Sequence, residues 1–338
     1  MQITLDEVEA IAQAALQRAG ASVLQAGAVA RSIRAAEAEG TRAIGLGYLQ
    51  WYVGHLKVGK ILGQAVPVVS MKRPGMIHVD AAGGFAHPAY EAGEAALVTA
   101  ARSQGIAVLG VAGGYACGVL GYFSDRLARE GLVSIAVTNA SSTMAPWGGS
   151  LPFFGTNPWA FGAPRTADAL VIDSSSSATA FVNLATAAAE GRPIPVHWAL
   201  DRDGNPTTNA AEGMAGSIAP SGGHKGAALA LMVEILAAGL TGANWSFQAS
   251  SLGDDVGGPP RLGQSFIAID PEAMAPGFGE RLEVMVAAMC NQQGVRVPGA
   301  RRIENRKIAE KQGVALDDGE VAILGELTGE PVQGQALA

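Results

Sequence analysis

The chain has 338 residues, a net charge of −7, 16% charged residues and 45 glycines, and its mean hydropathy is +0.22. These values describe a compact globular protein of one large or two smaller domains, and they exclude a disordered chain. The acidic balance and the scattered Lys and Arg residues argue against binding to nucleic acid or to an anionic membrane.

The cysteines, the N-terminus and the longest apolar run bear on the compartment. Cys117 and Cys290 show neither metal-ligand spacing nor a paired framework, which is typical of a reducing cytoplasm. The first seven residues carry acids where an export signal needs a basic and then an apolar stretch. The apolar run over residues 227–240 is interrupted by Glu234 and is too short to cross a bilayer. We therefore expect a cytoplasmic protein that binds no membrane.

Helical periodicity dominates the first 60 residues. Thr4 and Glu7 form a capping-box pattern, and the helix that they begin is predicted to end at Gly20. A second helix is predicted over residues 22–40 and a third over residues 45–60. Two prolines after this point predict an extended crossing.

Alternating strands and helices follow. A strand over residues 106–111, a helix over 118–129 and a strand over 133–138 predict a β-α-β unit with a parallel pair of strands. The loop over residues 112–117 then lies at the carboxyl end of a strand, where α/β proteins tend to bind ligands. The other predicted elements are strands at 77–80, 159–162, 170–173 and 264–270, and helices at 88–104, 178–190, 225–242, 279–293 and 299–312.

The loop over residues 112–117 does not belong to an ordinary dinucleotide fingerprint. Gly110, Gly113 and Gly114 do not form G-x-G-x-x-G, and no acidic residue lies about 20 residues further on at the end of the next strand. We therefore exclude an ordinary Rossmann fold. A dinucleotide would have to bind by other means.

The stretch that organises the chain is Ser-Gly-Gly-His-Lys-Gly at residues 221–226, which leads directly into an apolar helix. The glycines allow a tight turn, and the unpaired N–H groups and positive dipole of a helix start suit a phosphate or a carboxylate. An equally good interpretation is a loop before a core helix, in which His224 caps the helix and Lys225 is solvated.

Metal and nucleophilic chemistry have weaker support. The four histidines other than His224 lie far apart without an i, i+4 pair, so we expect no metal site. The chain has no G-x-S-x-G elbow and no cysteine with a convincing histidine partner.

Four motifs occur in a fixed order. Thr138-Asn139 precedes Ala-Pro-Trp-Gly-Gly at residues 145–149, and Gly-Thr-Asn-Pro follows at 155–158. The last motif is Gly-Gly-His-Lys-Gly at 222–226, continued by Leu-Ala-Leu-Met-Val-Glu-Ile-Leu at 229–236 and Leu-Thr-Gly-Ala at 240–243. Their order and spacing resemble those of the type-2 malate/L-lactate dehydrogenase family, and the similarity extends from the first helix to about residue 313.

The resemblance implies an NAD(P)-dependent oxidoreductase with a non-Rossmann α/β fold, usually a homodimer with the cofactor near the subunit interface, and leaves NADH and NADPH open. We expect a mixed sheet in an α/β cofactor-binding domain at residues 76–294. Residues 1–75 and 295–338 are expected to form a helical substrate and dimer portion. The implied cofactor-binding residues are Asn139, Ala140, Thr156, Asn157, Ser174, Ser175, Ser176, His224, Lys225 and Arg306.

The catalytic motifs of the family are altered. Its D-S-H-G-x-x-R stretch corresponds to residues 42–48, which lack the serine, the histidine and the arginine. Its N-S-x-H-F-G motif, whose histidine relays a proton in hydroxy-acid dehydrogenases, corresponds to residues 113–118, with Ala116 at the histidine. Asn183 stands where ketimine reductases have an acid.

Replacement polar groups therefore have to be sought elsewhere. We take Tyr48, Tyr52 and His87 as the catalytic candidates, with Tyr115 as a further source of polar contacts. Core packing of the tyrosines and helix capping by His87 are the competing interpretations.

Loss of the relay histidine bears on the substrate. Reduction of a ketone leaves an alkoxide that needs a proton, and a positioned acid contributes about 10²–10⁴-fold. A protonated imine carries its own proton, so we expect a small carboxylate with a cyclic ketimine, of the Δ1-pyrroline-2-carboxylate type, to be preferred. The alternatives are a 2-hydroxy or 2-oxo acid dehydrogenase with a relocated proton donor, and a catalytically silent nucleotide-binding paralogue.

Overall fold

The computed structural model describes residues 1–334, so the last four positions of the expected helical portion, 335–338, lie outside the described residues. The helices are α1 (Leu5–Arg18), α2 (Val23–Ala38), α3 (Leu46–Lys57), α4 (Ala86–Gln104), α5 (Gly121–Arg129), α6 (Phe181–Ala189), α7 (Ala210–Ala215), α8 (His224–Glu234), α9 (Phe278–Cys290), α10 (Ala300–Gln312) and α11 (Asp318–Thr328). The strands are β1 (Gln2–Ile3), β2 (Val68–Arg73), β3 (Met76–Asp80), β4 (Ile106–Gly114), β5 (Val133–Thr138), β6 (Trp159–Ala163), β7 (Leu170–Ser174), β8 (Ala199–Leu200), β9 (Pro206–Thr207), β10 (Ser217–Ile218), β11 (Leu262–Ile269) and β12 (Val314–Ala315). A 3-10 turn, Arg42–Ile44, precedes α3, and a π-helical turn, Ile235–Gly239, extends α8.

A mixed sheet of seven strands forms the centre of the molecule, in the order β2-β3-β4-β11-β5-β6-β7. Strands β3 and β4 run parallel, and the other neighbouring strands are antiparallel. The two middle strands, β4 and β11, are almost entirely buried, which suits their runs of small and apolar residues. The expected mixed, non-Rossmann α/β architecture is confirmed.

The predicted parallel pair at residues 106–111 and 133–138 is wrong, because β4 and β5 are not neighbours. Strand β11 lies between them and is antiparallel to both, so that Phe266 pairs with Leu109 on one side and with Ala136 on the other. Local periodicity does not reveal this insertion, since β11 comes from a distant part of the chain. Because β4 and β5 are both antiparallel to β11, they run in the same direction.

Two further segments differ from the sequence prediction. The extended crossing after residue 60 contains a hairpin strand, β2, at the edge of the sheet. Beyond the predicted closing helix, the chain continues into β12 and α11, where Asp317 and Glu320 form a capping box. Strand β12 pairs with β1, so this segment returns to the N-terminus.

The helices at the two ends of the chain share one hydrophobic core. It includes Val8 of α1, Ile33 of α2, Leu49 of α3 and Leu324 of α11. The predicted capping box at the start of α1 is confirmed, because Glu7 N donates to Thr4 Oγ1 over 3.1 Å. A separate core lies between the sheet and the helices α4 and α5.

Two features are absent from residues 1–334. No helix in this part of the chain combines the length and the apolar composition that a bilayer crossing requires. The same residues contain no group of three or more His, Cys, Asp or Glu side chains arranged to hold a metal ion.

Candidate active site

Helix α8 begins at a glycine-rich turn. Gly222 and Gly223 have φ values of 64° and 68°, which residues with a Cβ disfavour, and His224 is the first helical residue. No side chain among residues 1–334 caps this helix start, and His224 and Lys225 are both exposed beside it. A Cβ on Gly222 would meet nothing within 4 Å. The start of α8 is therefore an open, electropositive place with room for a ligand.

Three of the segments predicted to bind cofactor meet at this helix start. Ser221 N donates to Ser176 O over 2.9 Å, and Ser176 N donates to Thr156 O over 3.0 Å. The lack of a side chain at Gly226 lets the 221 and 176 loops approach the start of α8, because a Cβ there would collide with the Ser221 backbone and lie 2.9 Å from Ser176 O. The structure thus brings Thr156, Ser176 and residues 221–225 together.

The side chains of Asn139 and Asn157 point into the protein. Asn157 Nδ2 donates to the Glu234 carboxylate over 2.7 Å, and Asn139 Nδ2 donates to it over 3.4 Å. Glu234 also accepts hydrogen bonds from N and Oγ of Ser246, each over 2.6 Å. All four residues are buried. The two asparagines therefore hold their loops against α8, and a cofactor would contact them through the backbone.

The remaining predicted positions in this region lie on two loops. Ala140 packs against Gly155, where a Cβ would lie 2.6 Å from Ala140 O. Ser175 is half-buried, and its hydroxyl donates to Ser177 O over 3.2 Å. Ser174, at the end of β7, is exposed and can contact a ligand directly.

These residues fit a dinucleotide. The backbone N–H groups of the α8 start, together with His224 and Lys225, suit a phosphate group. Trp147 forms a rim, because its indole is 65% exposed and its edge contacts the His224 ring with the centroids 5.9 Å apart. A Cβ on Gly223 would lie 3.1 Å from this indole, so glycine keeps the space between helix and ring.

Arg306 lies in an ionic cluster rather than at the start of α8. Its guanidinium donates to Glu39 over 2.5 Å and lies 3.5 Å from an oxygen of Asp125. One turn earlier on α10, Arg302 lies 3.4 Å from Asp173, the residue before Ser174. On α10 it is therefore Arg302, not Arg306, that contacts the strand end before Ser174. The cofactor role of Arg306 stays a prediction.

The catalytic candidates converge on Gly118, in the loop after β4. A Cβ on Gly118 would lie 3.3 Å from Tyr52 Oη, 3.7 Å from His87 Nε2 and 3.8 Å from Ile44 Cγ2. The Tyr48 ring packs edge-on against Tyr52 with the centroids 4.9 Å apart. The two altered catalytic motifs, residues 42–48 and 113–118, therefore meet at one place.

Burial sets the protonation of these candidates. It raises the pKa of Tyr48 and Tyr52, so both phenols are protonated at neutral pH and act as donors. Burial lowers the pKa of His87 to about 3, so this imidazole is neutral, and its Nε2 lies 3.1 Å from Ser32 Oγ. His87 is consequently not a general acid near neutrality.

Two buried polar residues were not predicted from the sequence: His55, near this cluster, and Glu234, beside the loops of Asn139 and Asn157. His55 is buried one turn after Tyr52 on α3, and its Nδ1 lies 2.5 Å from Tyr115 Oη. The i, i+3 spacing of Tyr52 and His55 is the signal that placed them on one helix face. Glu234 is a lone acid in the apolar helix α8, and such a residue is the signal for buried polar partners.

Comparison with known proteins gives a consistent result. The model of the malate/L-lactate dehydrogenase family matches residues 3–324. The chain is 42% identical over 326 residues to the (2R)-3-sulfolactate dehydrogenase (NADP(+)) of Chromohalobacter salexigens, with 96% of each chain covered. It is 39% identical over 334 residues to the Δ1-pyrroline-2-carboxylate/Δ1-piperideine-2-carboxylate reductase of Pseudomonas putida, with 97% of each covered.

A solved structure agrees with these matches. The crystal structure of Δ1-piperideine-2-carboxylate reductase from Pseudomonas syringae pv. tomato superposes with a TM-score of 0.92 at 35% identity, over 97% of this chain and 99% of that one. Sequence motifs, fold and comparisons lead to the same conclusion: the chain belongs to the malate/L-lactate dehydrogenase family.

Proposed function

We propose that the protein is an NAD(P)H-dependent oxidoreductase that reduces a small 2-imino or 2-oxo carboxylate, with a cyclic ketimine of the Δ1-pyrroline-2-carboxylate type preferred. The observation that carries the proposal is the contact of the α8 start with the loops of Thr156 and Ser176, which creates one site for a dinucleotide. The names of the relatives compared above, a sulfolactate dehydrogenase and reductases of pyrroline- and piperideine-2-carboxylate, support the substrate class.

The dinucleotide would be held at the start of α8 and along the neighbouring loops. His224, Lys225 and the first N–H groups of α8 would bind its phosphates. The exposed Ser174 and the backbone of residues 139–140 and 156–157 would line the same site. When bound, the nicotinamide supplies the hydride.

Substrate would be oriented by the phenols near Gly118. Tyr48 occupies the position of the family's arginine and is the only partly exposed member of the three-tyrosine cluster with Tyr52 and Tyr115. Its hydroxyl can donate to a carboxylate or to the oxygen or nitrogen that is reduced. Tyr52 and neutral His87 would complete the polar wall, with His87 held by Ser32.

A 2-oxo acid is the second candidate substrate. The specific observation in its favour is the buried hydrogen bond between His55 and Tyr115, which offers a relocated route for the proton that a ketone needs. A catalytically silent, nucleotide-binding protein is the third alternative, since the motifs of the cofactor site are kept while the catalytic ones are altered.

We further propose that the protein is a cytoplasmic homodimer. In each subunit, residues 1–75 and 295–338 form the helical portion, and residues 76–294 bind the cofactor. The shared core of α1, α2, α3 and α11 supports that division. A row of exposed apolar residues supports subunit contact, and it runs along α8 and its π-helical extension: Leu231, Met232, Ile235 and Leu240.

Oxidation of NADH and NADPH over parallel panels of imino acids and 2-oxo acids tests this function. We expect turnover with imino acids, and steady turnover with them but none with 2-oxo acids would remove the second candidate. Dinucleotide binding without turnover on either panel would leave the silent protein as the correct assignment.

The cofactor site is tested separately by His224→Ala. Loss of one hydrogen bond to a charged group, about 1.5–3 kcal/mol, predicts dinucleotide binding weaker by about 10–100-fold. His197→Ala, at an exposed histidine between α6 and β8, is the matched control. An unchanged dissociation constant for His224→Ala would contradict the assigned site.

A further inference from the structure

A chain of polar groups connects the protein surface with Tyr115. The His55 side chain is fully buried, and its Nδ1 lies 2.5 Å from Tyr115 Oη. Its Nε2 has no hydrogen-bond partner within residues 1–334. The nearest acidic group to this nitrogen is Asp255, whose Oδ1 lies 3.7 Å away and whose side chain is 68% exposed. One imidazole thus faces a buried phenol on one side and a solvated carboxylate on the other.

Lys60 keeps Asp255 at this position. The Lys60 ammonium is fully buried and donates to Asp254 O over 2.6 Å, to Asp254 Oδ1 over 3.2 Å and to Ser251 O. These bonds fix the loop over residues 251–256 against the end of α3. Burying an ammonium is costly unless it is paired, so the loop position follows from the charge of Lys60.

The inner end of the chain reaches the substrate side. Tyr48 belongs to one aromatic cluster with Tyr115, because its ring centroid lies 4.9 Å from that of Tyr52, which in turn lies 5.9 Å from that of Tyr115. Burial raises the pKa of Tyr48, and the neighbouring Tyr115 phenol acts in the opposite direction. Tyr48 is half-buried, whereas Tyr115 and His55 are inaccessible to solvent. Tyr48 is therefore the member of this chain of groups whose hydroxyl can touch a ligand.

On the basis of the function proposed above, we propose that Asp255, His55 and Tyr115 form a proton path from solvent to Tyr48, and that Tyr48 donates the proton to the substrate. Tyr48 is then a catalytic residue, and the other three position and relay the proton. This path would replace the relay histidine that Ala116 has displaced.

The transfer balances without a change in net charge. The Tyr48 O–H bond breaks as the substrate gains an O–H or N–H bond, and the Tyr115 proton moves to Tyr48. The His55 Nδ1 proton moves to Tyr115, and water beside Asp255 protonates Nε2 and leaves hydroxide in solvent. The electron pair arrives with the hydride from NAD(P)H. To reset the path after product release, Nε2 returns its proton to the hydroxide, and a water beside Tyr48 supplies a proton that moves back through Tyr48 and Tyr115 to Nδ1, which leaves one hydroxide in solvent for each turnover.

The charges around His55 favour the neutral ring that this path needs. Burial lowers its pKa, and the Lys60 ammonium lowers it further, whereas Asp255 and Asp254 act in the opposite direction. Burial also raises the pKa of Tyr115 well above its usual value, so its proton stays in place until Tyr48 loses its own. Neutral His55 protonated at Nδ1 can donate only towards Tyr115.

NMR of the cofactor-free protein tests the path without turnover. We expect the His55 ring, labelled with ¹⁵N, to carry its proton on Nδ1 in the wild type. Tyr115→Phe should shift this resonance, whereas Tyr90→Phe, at an equally buried tyrosine that bonds to Glu94 over 3.0 Å, should not. A proton found on Nε2 in the wild type would overturn the path.

Kinetics supply the second test. Tyr115→Phe and His55→Gln should lower kcat for a 2-oxo acid by about 10²–10⁴-fold, with a smaller change in KM and with a wild-type circular dichroism spectrum. A protonated imine should lose less, because it brings its own proton. Undiminished oxo-acid turnover in a folded Tyr115→Phe protein would overturn the proposal. If the wild type turns over neither imino acids nor 2-oxo acids, the proposed function is wrong. The NMR measurement of which His55 nitrogen carries the proton then still tests the proton path.

Discussion

Asn157 Nδ2 donates to the Glu234 carboxylate over 2.7 Å, and both side chains are buried between the Gly-Thr-Asn-Pro loop and α8. Asn157 has a φ of 40°, a left-handed value that Asn tolerates better than most residues. Its side chain also donates to Ala230 O over 2.9 Å. The bond to Glu234 therefore holds a strained turn against the helix whose other end forms the candidate cofactor site.

Glu234→Gln should destabilise the protein. The carboxylate accepts four hydrogen bonds, and an amide in its place presents an NH₂ group to donors. Loss of one or two charge-assisted bonds predicts a free energy of unfolding lower by about 2–4 kcal/mol, measured by urea denaturation. Glu304→Gln, at an exposed position of α10, is the control and should change little. Equal stability of the two variants would contradict the role of Glu234.

Gly226→Ala should disturb the candidate cofactor site. The added methyl would collide with the Ser221 backbone and with Ser176 O, so the loops must separate. We expect a loss of about 1–3 kcal/mol in unfolding free energy together with weaker dinucleotide binding. Gly54→Ala on α3, where a Cβ meets nothing within 4 Å, should instead be neutral or slightly stabilising. Dinucleotide affinity unaffected by Gly226→Ala would argue against this loop contact.

The neutrality of His87 predicts a specific pH dependence. Its pKa is about 3 in the folded protein and about 6.5 when unfolded, so between these values the unfolded chain binds more protons. Acidification therefore favours unfolding. From pH 7 to pH 5, the wild type should lose about 2 kcal/mol more than His87→Gln, which has no proton to bind. If the unfolding free energies of the two proteins depend on pH in the same way, the pKa of His87 in the folded protein is not lowered, and the prediction is wrong.

Arg306 offers a test between a structural and a cofactor role. Arg306→Gln removes the ion pair with Glu39 and leaves that carboxylate half-buried, so we expect a loss of about 1–3 kcal/mol in unfolding free energy. Arg301→Gln, at an exposed arginine of the same helix, is the control. If Arg306→Gln lowers stability without changing dinucleotide affinity, the cofactor role predicted from the family motif is wrong.

Much of the architecture was accessible from local patterns. The capping box of α1, the glycine turn before α8 and each of the four motifs depend on residues close together in the chain. The mixed α/β fold and the family followed from them. Strand β11 between β4 and β5, the late helix α11 and the loop pinned by Lys60 did not, because each depends on which distant surfaces meet.

The sequence by itself determined where the helices begin, which loops carry the motifs shared with the family and which of the family's catalytic residues are replaced. Turn geometry, capping and periodicity act between neighbours, so a single chain displays them directly. Only the tertiary structure decided that Asn139 and Asn157 face Glu234 and that His55 meets Tyr115 across 60 residues. Burial and hydrogen bonding between distant residues are properties of the packed interior, where polar groups must find partners that no local pattern specifies.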